Sequence, residues 1–567
     1  MLEVRNLSIA FKTVSGLKSA VRAIDFSIAP GEILGLVGES GSGKTITSLG
    51  VMGLLPPNAV VTSGEVLVDG VDLLRLPPAE LRKLRGRRIA MIFQDPMASL
   101  DPIFTCGDQI IEAILLHEHI GRAAARRKAC DLLEKVLIPD PVRAMRSYPH
   151  ELSGGQCQRI MIAMAVACRP KLIIADEPTT ALDVTVQKQV LELLRELNAE
   201  VGAAILLITH DLGVIYQVAD RVVVMYAGDK MEEAPTDRLF AAPESDYSRA
   251  LIESMPSLGR HAERLPVIER DDLGRIRSVT PKPLIRPASA GPVPAAGDVP
   301  LLEIKDLRKS YWVKPSPLAL PVEMRAVDGV SLSIQARTTL GLVGESGCGK
   351  STLSRAIMRL YKPDSGQILF KGRDIARLSE GDMRPYRREI AMVFQNPYGS
   401  LNPRQTVARL IEAPMVIFGE GSAAERQRRV GRLLDAVGLP AVAAEKYPHE
   451  FSGGQRQRIA IARALALNPS LVICDEAVSA LDVSVQAQVL NLLKDLQAEF
   501  DLTYLFISHD LSVVEHVSDT VAVMQRGLIV EQGPAADIFG NPREAYTRML
   551  LDAVPTVGAA RVRKEGA

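Results

Sequence analysis

The sequence predicts an α/β protein made of two tandem domains, each with a largely parallel central sheet. Three observations support this prediction: a set of motifs occurs twice in the same order, each copy alternates β-branched runs with segments of helical spacing, and a proline-rich stretch separates the copies. Alternation of strands and helices is typical of domains with parallel sheets. At 567 residues the chain is long enough for two large domains of this class.

The repeat spans most of the chain. GLVGESGSGKT at 35–45 recurs as GLVGESGCGKS at 341–351, IAMIFQDP at 89–96 as IAMVFQNP at 390–397, and YPHELSGGQ at 148–156 as YPHEFSGGQ at 447–455. LDVTVQ at 182–187 recurs as LDVSVQ at 481–486, and THDL at 209–212 as SHDL at 508–511. The offset between copies falls only from 306 to 299. A fixed order with a slowly shrinking offset indicates a duplicated domain, and the period is too long for a solenoid repeat.

Each copy contains short apolar runs that predict buried strands. In the first copy these runs are EILGLVG (32–38), KLIIAD (171–176), AILLITH (204–210) and RVVVMYAG (221–228). SLGVMGLL (48–55) and QKQVLELLRELNAE (187–200) have apolar residues at helical spacing and predict helices. Strands and helices therefore alternate along the chain, as expected around a parallel sheet.

Residues 256–300 separate the copies and contain eight of the chain's 36 prolines. Proline together with Ala, Gly and Ser favours extended, unpacked chain. We interpret the stretch as a linker, and a small irregular subdomain is the alternative. The predicted domains are then 1–255 and 301–567, the second with a C-terminal extension.

The composition is that of a globular protein, with 47% apolar and 24% charged residues. Lys+Arg and Asp+Glu both number 67, so no net charge draws the chain to nucleic acid or an anionic membrane. The longest apolar runs fall well short of the about 20 residues of a transmembrane helix, and the N-terminus lacks the order of a signal peptide. Six scattered cysteines form no CxxC pair, which argues against a zinc ribbon or a disulfide framework and fits a reducing cytosol.

Two glycine-rich loops, GESGSGKT and GESGCGKS, fit the pattern GxxxxGK[ST]. The glycines let the backbone turn its N–H groups inward around phosphate oxygens, and the following helix N-terminus adds a favourable field. In this pattern Lys44 and Lys350 reach the β- and γ-phosphates, and Thr45 and Ser351 place a hydroxyl on Mg²⁺. Each loop follows a predicted strand and precedes a predicted helix, which disfavours a plain glycine-rich turn.

Each half also carries paired acids at the end of a predicted buried strand, in LIIADE and LVICDE. Asp176 and Asp475 suit the Mg²⁺ shell. Glu177 and Glu476 suit the base or orienting group for an attacking water, a role worth about 10²–10⁴-fold in rate. Two acids at a strand end are otherwise merely solvated, but the neighbouring phosphate loop favours the functional interpretation.

The motif order in both halves resembles the nucleotide-binding domain of ATP-binding-cassette (ABC) proteins, over nearly the whole chain outside the linker. The most specific element is LSGGQ at 152–156 and FSGGQ at 451–455. The resemblance implies two P-loop NTPase domains of the ABC type, each with a helical signature subdomain, that bind ATP and Mg²⁺ and hydrolyse ATP.

The resemblance also gives roles to single residues. Gln94 and Gln395 resemble Q-loop residues near Mg²⁺ and the transmembrane contact, and His210 and His509 resemble switch histidines that sense the γ-phosphate. The candidate catalytic residues are Glu177, Glu476, His210 and His509. The candidate metal residues are Thr45, Gln94, Asp176, Ser351, Gln395 and Asp475. The candidate nucleotide-binding residues are Gly38, Glu39, Ser40, Gly41, Ser42, Gly43, Lys44, Thr45, Gln94, Ser153, Gly154, Gly155, Gln156, Gly344, Glu345, Ser346, Gly347, Cys348, Gly349, Lys350, Ser351, Gln395, Ser452, Gly453, Gly454, Gln455, Phe11 and Tyr311. Phe11 and Tyr311 are candidates for stacking on adenine, and the alternative is that they are core aromatics.

In this family two domains bind head to tail with two ATP molecules between them. The resemblance therefore implies intramolecular pairing, in which the phosphate loop and acids of each half face the signature of the other. Both halves keep the glutamate, histidine and signature set, so we expect both sites to hydrolyse ATP. Two departures from the repeat are Ala477 in place of Pro178 and Cys157 in place of Arg456, and neither removes a catalytic group.

A fused ABC pair without a membrane span fits an importer subunit, a ribosome or translation factor, or a DNA-repair ATPase. Repair ATPases of the zinc type carry CxxC insertions, which are missing here. Those of the coiled-coil type separate the two nucleotide motifs by hundreds of residues, whereas Lys44 and Asp176 are 132 apart. Translation factors tend to have a long helical interdomain segment, which the proline-rich stretch disfavours. The ribosome factor is kept as the alternative to the importer subunit.

The segments DPMASLDP (95–102) and NPYGSLNP (396–403) resemble the bacterial peptide/nickel importer group. The resemblance implies an ATPase subunit, peripheral on the cytoplasmic face of the inner membrane, that energises binding-protein-dependent import of peptides or a related solute such as glutathione, a nickel chelate or an opine. The implied partners are two membrane permease subunits and an extracytoplasmic substrate-binding protein. Segments 95–118 and 396–415 would receive the permease coupling helices, and plain solvated loops are the alternative.

The cysteines lead to two further expectations. Many members of this group carry a cysteine cluster for an iron–sulfur centre after the first ABC domain, but 255–300 contains no cysteine, so we predict no such cluster. Cys348 stands where the first loop has Ser42. A thiol near a helix N-terminus and Lys350 is expected to favour its thiolate, with Cys157 bordering the same composite site. The alternative is that Cys348 is a small residue with its sulfur pointing inward.

Overall fold

The computed structural model describes residues 1–14, 16–179, 182–259, 262–270, 276–281, 299–313, 320–479, 481–555 and 557. Much of the predicted linker, including 282–298, therefore lies outside the described residues. The chain divides into two units. Unit 1 comprises Met1–Glu253, Ile268–Ser278 and Pro555–Ala567, and unit 2 comprises Ser254–Val267 and Val279–Val554. None of the helices described is long and apolar enough to cross a membrane. The domain limits 1–255 and 301–567 stay predictions.

The strands of the first half form a six-stranded and a four-stranded sheet, followed by a separate two-stranded sheet, β11-β12. In chain order they are β1 (Leu2–Thr13), β2 (Gly16–Ile28), β3 (Ile33–Val37), β4 (Ala59–Val68), β5 (Val71–Asp72), β6 (Ile89–Ile92), β7 (Leu172–Asp176), β8 (Ala204–Ile208), β9 (Arg221–Tyr226), β10 (Asp229–Pro235), β11 (Val267–Arg270) and β12 (Ile276–Val279). The larger sheet has the order β10-β9-β3-β8-β7-β6, and only the edge strand β10 is antiparallel to its neighbour. The four-stranded sheet, β2-β1-β4-β5, is antiparallel.

Unit 2 repeats the two main sheets. Its strands are β13 (Leu302–Val313), β14 (Val322–Ile334), β15 (Thr339–Val343), β16 (Ser365–Phe370), β17 (Arg373–Asp374), β18 (Ile390–Val393), β19 (Leu471–Asp475), β20 (Thr503–Ile507), β21 (Thr520–Gln525) and β22 (Leu528–Pro534). The orders are β18-β19-β20-β15-β21-β22 and β14-β13-β16-β17. The predicted α/β domains with largely parallel sheets are thus confirmed in both halves.

The helices follow the same duplication. In unit 1 they are α1 (Lys44–Met52), α2 (Pro78–Leu84), α3 (Pro96–Ser99), α4 (Cys106–His117), α5 (Arg122–Lys135), α6 (Pro141–Ala144), α7 (Gly154–Val166), α8 (Val184–Val201), α9 (Leu212–Val218), α10 (Thr236–Ala241) and α11 (Asp246–Glu253). In unit 2 they are α12 (Lys350–Ile357), α13 (Glu380–Glu389), α14 (Pro397–Ser400), α15 (Val407–Phe418), α16 (Ala423–Ala436), α17 (Gly453–Ala464), α18 (Val483–Phe500), α19 (Leu511–Val517), α20 (Ala535–Gly540) and α21 (Ala545–Asp552). Helices α4, α5 and α7 pack on one another, as do α15, α16 and α17, which gives each unit its helical signature subdomain.

The burial of the strands explains which of them the sequence predicts. β3, β7 and β8 are buried at every residue, as strands of a parallel sheet covered on both faces must be. β1 instead mixes buried and exposed residues and pairs with β4, whose residues lie about 60 positions away. The sequence therefore does not reveal the antiparallel sheet, although Ile9 and Val21 of that sheet share one core with Leu36 of β3.

The first residues of the predicted linker pack within unit 2. Leu265 N–H donates to Asn491 Oδ1 at 3.1 Å, and Asn491 Nδ2 donates to the Leu265 carbonyl at 2.8 Å. Arg264 forms an ion pair with Asp495, and the side chains of Leu265 and Val267 are buried. This stretch differs from the expected unpacked chain because Leu265 and Val267 are apolar and buried, and Leu265 is bonded to Asn491 of α18.

A second distant segment completes unit 1. Pro555 lies against α9, where a Cβ added to Gly213 would come within 2.8 Å of the Pro555 carbonyl oxygen. Both units therefore combine residues that are far apart along the chain.

Candidate functional site

The two glycine-rich loops connect β3 to α1 and β15 to α12. In the first loop Gly38, Gly41 and Gly43 have φ values of 149°, 78° and 100°, and the corresponding glycines of the second loop have 149°, 79° and 116°. A Cβ on Gly38 would lie 2.1 Å from the Met225 carbonyl oxygen. The close approach and the positive φ together explain why glycine is needed at this position.

Each loop wraps around its lysine. Lys44 Nζ donates to the carbonyls of Gly38 at 2.7 Å and Glu39 at 2.9 Å. Lys350 Nζ donates to the equivalent carbonyls of its own loop at 2.6 and 2.8 Å. Both lysines are the first residue of a helix and are buried, so each ammonium is held by its loop directly beside a helix N-terminus, where an anion is favoured.

The helix start also brings a hydroxyl to the end of a neighbouring strand. Thr45 Oγ1 donates to Asp176 Oδ1 at 3.4 Å, and Ser351 Oγ donates to Asp475 Oδ1 at 3.3 Å. Burial raises the pKa of Asp176 to about 6 and also raises the pKa of Asp475. A hydroxyl and a carboxylate side by side are hard oxygen donors, which is the donor set that Mg²⁺ prefers.

The predicted glutamate, glutamine and histidine meet in each half. Gln94 Nε2 donates to Glu177 Oε2 at 2.7 Å, and His210 Nδ1 lies 3.2 Å from Glu177 Oε1. Glu177 has a left-handed φ of 49°, a conformation that costs free energy for a non-glycine residue and is concentrated at functional sites. Its amide donates to the Ile208 carbonyl at 2.8 Å, which fixes this backbone.

The second half brings the same three residue types together. Gln395 Nε2 donates to Glu476 Oε2 at 2.5 Å, His509 Nδ1 lies 3.6 Å from the same oxygen, and φ of Glu476 is 50°. Burial raises the pKa of Glu476, but the nearby His509 outweighs it, so the pKa lies below its usual value. For the matching reason the pKa of His509 lies above its usual value despite burial.

The signature serines cap the helices that follow them. Gln156 N–H donates to Ser153 Oγ at 3.3 Å, and Ser153 N–H donates to Gln156 Oε1 at 3.1 Å. Ser452 and Gln455 form the same capping box. Ser153 and Gly154 are exposed, as is Ser452. Because each serine oxygen only accepts in this arrangement, its hydroxyl hydrogen can still donate to an added anion.

Phe11 and Tyr311 lie in the antiparallel sheets, on β1 and β13, and both are half-buried. The Tyr311 ring stands edge-on to Tyr361, with centroids 6.1 Å apart, and Lys309 lies over the same ring. The adenine-stacking role of Phe11 and Tyr311 stays a prediction.

Three features of the site are missing from the sequence interpretation. Tyr247 and Tyr546 each accept a hydrogen bond from a phosphate-loop amide. The backbones of Glu177 and Glu476 have left-handed φ values. Asp211 accepts from Gly213 N–H at 2.8 Å and so caps α9 directly after His210. The tyrosines occur in the repeat as DYSRAL and AYTRML, so comparing the two halves further along the chain would have found them.

The expectation that Cys348 favours its thiolate is wrong. Lys350 is close to the sulfur, which lowers the pKa, but burial of Cys348 has the larger effect and the pKa is raised. Cys157 is also buried, and its Sγ donates to the Pro149 carbonyl at 3.3 Å. The Cys157 sulfur therefore bonds within its own half. Arg456, at the equivalent position of the second half, donates to the equivalent Pro448 carbonyl at 2.6 Å.

Comparison with known families gives two matches. A family model described as ABC transporter matches residues 21–180 and 327–479. A second, described as the C-terminal region of oligopeptide/dipeptide transporters, matches residues 231–277 and 530–566.

The chain is also similar to single proteins. The chain is 45% identical over 577 residues to glutathione import ATP-binding protein GsiA of Pectobacterium atrosepticum, covering all of this chain and 91% of the relative. It is 45% identical over 581 residues to GsiA of Escherichia coli K12, with the same coverage. Among solved structures, cbiO1 of Clostridium perfringens, part of an ABC transporter complex, is 27% identical, with a TM-score of 0.39 over 43% of this chain and 92% of its own.

Proposed function

Since this chain belongs to the ABC transporter family, as an importer ATPase of the peptide group, we propose that its two halves hydrolyse ATP to energise the import of glutathione or a related small peptide. The observation that carries the proposal is the 45% identity, along the whole chain, to proteins named for glutathione import. The ribosomal alternative has no support in these comparisons.

Nucleotide binding is assigned to the two phosphate loops. Lys44 and Lys350, each held by a carbonyl of its own loop, would direct a further N–H of the ammonium to β- and γ-phosphate oxygens, and the loop amides would donate to the same phosphates. Thr45 with Asp176, and Ser351 with Asp475, would hold Mg²⁺ together with Gln94 and Gln395. The ion would offset negative charge that develops on the phosphates.

Hydrolysis is assigned to the two glutamates. The lowered pKa of Glu476 keeps its carboxylate charged at neutral pH, so that it can orient a water and accept its proton. His509 lies beside the Glu476 carboxylate and stabilises its charge, and it would lie within reach of the γ-phosphate. Glu177 and His210 also lie side by side, with 3.2 Å between Oε1 and Nδ1, and are given the same roles.

The two halves are proposed to pair head to tail around two ATP molecules. Each signature would then complete the site of the other half. The exposed serines Ser153 and Ser452, with the glycines and Gln156 or Gln455, would donate to the γ-phosphate across the pairing surface. Hydrolysis removes that attraction, which is how the chemical step would open the pair.

The partners are proposed to be two membrane permeases and an extracytoplasmic substrate-binding protein, with the chain peripheral on the cytoplasmic face of the inner membrane. Support comes from segment 95–118, where Ile103 and Phe104 are exposed by 73% and 52%. In unit 2, Val416 and Ile417, just beyond segment 396–415, are exposed by 53% and 66%. Such apolar surface suits contact with another protein.

The test is reconstitution. The chain is purified with the permeases encoded beside its gene and placed in proteoliposomes containing ATP, and uptake of labelled glutathione and dipeptides is measured with the binding protein outside. We expect uptake and stimulated ATP hydrolysis that both fail in the Lys44→Ala, Lys350→Ala double variant. Full ATP hydrolysis without any permease association, together with co-sedimentation with ribosomes, would overturn the importer assignment.

A further inference from the structure

Each phosphate loop is held by a buried tyrosine. Glu39 N–H donates to the hydroxyl of Tyr247 on α11 at 3.2 Å, and Glu345 N–H donates to the hydroxyl of Tyr546 on α21 at 3.1 Å. Tyr247 is fully buried and Tyr546 is 8% exposed. The structure therefore shows the same contact twice, once in each half.

The tyrosine acts on the peptide unit that holds the lysine. The N–H of Glu39 and the carbonyl of Gly38 belong to one peptide group, which is planar. Its N–H is fixed by Tyr247, and its oxygen accepts from Lys44 Nζ at 2.7 Å. Turning this peptide would move the oxygen away from the ammonium. The tyrosine hydroxyl therefore sets the orientation in which the loop presents its lysine.

The helix that carries the tyrosine is itself fixed by a carboxylate. Glu232 of β10 accepts from the backbone N–H groups of Glu244 and Ser245 at 2.9 and 3.0 Å, directly before α11. In unit 2, Glu531 of β22 accepts from the two N–H groups before α21 at 2.8 and 3.2 Å. The start of each helix is thereby anchored to the edge strand of the central sheet, and the tyrosine follows within the first turn.

The loop is also tied at a second point. Gly228 N–H, in the turn between β9 and β10, donates to the Ser42 carbonyl at 3.1 Å. Gly527 N–H donates to the Cys348 carbonyl at 2.8 Å. A glycine-rich loop loses much conformational freedom on ordering, so two outside contacts reduce the entropy that a bound phosphate would otherwise have to offset.

We infer that Tyr247 and Tyr546 are positioning residues for nucleotide binding, each orienting the lysine-holding peptide of the phosphate loop in its own half. The inference rests on the assignment of ATP to these loops made above. It gives α11 and α21, which lie in the matched peptide-transporter C-terminal regions, a direct part in setting ATP affinity.

The test uses the full chain with Lys44→Ala, so that ATP binding reports on the second loop. Tyr546→Phe keeps the buried ring and removes only the hydroxyl. We expect its dissociation constant for a fluorescent ATP analogue with Mg²⁺ to rise about three- to tenfold, the size of one hydrogen bond. Tyr247→Phe in the same background should leave that constant unchanged, since its loop is already disabled. In the wild-type background each variant should raise KM with kcat within about twofold.

Tyr504→Phe is the matched control. Tyr504 is a buried tyrosine of the same unit, and its hydroxyl donates to the Leu493 carbonyl at 3.0 Å, away from the loop. It should lower the melting temperature as Tyr546→Phe does, without changing ATP affinity. Wild-type ATP affinity in Tyr546→Phe, with a melting temperature lowered as in the control, would overturn the inference alone. A wild-type chain that binds no ATP would overturn it together with the proposed function.

Discussion

Gln94 donates its side-chain amide to the carboxylate of Glu177 at 2.7 Å, across 83 positions of sequence. The bond joins the loop after β6 to the acid that follows β7. Segment 95–118, which starts at that loop, is the surface proposed to receive a permease. A displacement of this loop would therefore reach the proposed catalytic carboxylate through a single hydrogen bond, and the same path exists in the second half through Gln395 and Glu476.

Both glutamates are expected to be needed for turnover. Glu177→Gln or Glu476→Gln should lower phosphate release by about 10²–10⁴-fold, since the amide cannot accept a proton from water. ATP should stay bound because the loops are untouched. The double variant should lose little more, because groups that act as a unit are not additive. Steady-state phosphate release and retained nucleotide measure both effects. If one single variant kept wild-type turnover while the other had none, the two glutamates would not have equal roles.

Asp176 is expected to destabilise the nucleotide-free protein above about pH 6. Burial raises its pKa to about 6, so the folded state binds the proton more tightly than the unfolded state does. The destabilisation is absent below the ordinary pKa near 3.9, grows as pH rises towards 6 and is complete above it. Without Mg²⁺, Asp176→Asn should therefore raise the free energy of unfolding at pH 8 by about 2–3 kcal/mol.

The pH series supplies the control for this variant. In urea unfolding without Mg²⁺, the difference in free energy of unfolding between Asp176→Asn and wild type should vanish near pH 4. With Mg²⁺ and ATP the order should reverse, since the carboxylate gains its cation and the amide does not. A variant less stable than wild type at pH 8 without Mg²⁺ would contradict the burial cost.

Cys348 is expected to react slowly with thiol reagents. Burial raises its pKa despite the neighbouring Lys350, so little thiolate is present at pH 7. Cys130 and Cys168, which are only half-buried, should be alkylated first, as peptide mass spectrometry after timed maleimide treatment can show. Cys348→Ser copies the first loop and should keep ATPase activity. Faster labelling of Cys348 than of Cys130 at pH 7 would restore the expectation drawn from sequence.

Asn491 is expected to hold the segment before residue 268 in place. Asn491→Ala would leave both backbone groups of Leu265 without their present partner, which costs about 1–3 kcal/mol for buried polar groups. The transition of unit 2 in thermal unfolding should shift down accordingly. Glu515→Gln is a matched control, because the amide oxygen can still accept from Gly259 N–H, now bonded at 2.9 Å. If both variants shifted the thermal transition equally, the bonds of Asn491 to Leu265 would not be what holds this segment.

The sequence predicts the parallel strands and the phosphate loops because their patterns are local. β3 is a run of buried apolar residues followed at once by the glycines that its turn requires. The left-handed Glu177 is invisible to such reasoning, because its φ depends on a bond to Ile208 from another strand. Tyr247 is missed for a similar reason, since its hydroxyl meets Glu39 across 208 positions. Composition also misleads at residues 256–267, where proline suggests free chain but Leu265 is buried.

The contact between Pro555 and α9 bears on how the protein is made. Unit 1 ends its main stretch at Glu253, yet Pro555 also belongs to it. A ribosome adds about 5–20 residues per second, so the intervening stretch of roughly 300 residues takes about 15–60 s to synthesise. Throughout that time the first catalytic half exists as a nascent chain with the surface around Gly213 uncovered. The first half can therefore gain this contact only late in translation, after nearly all of the second half has been synthesised.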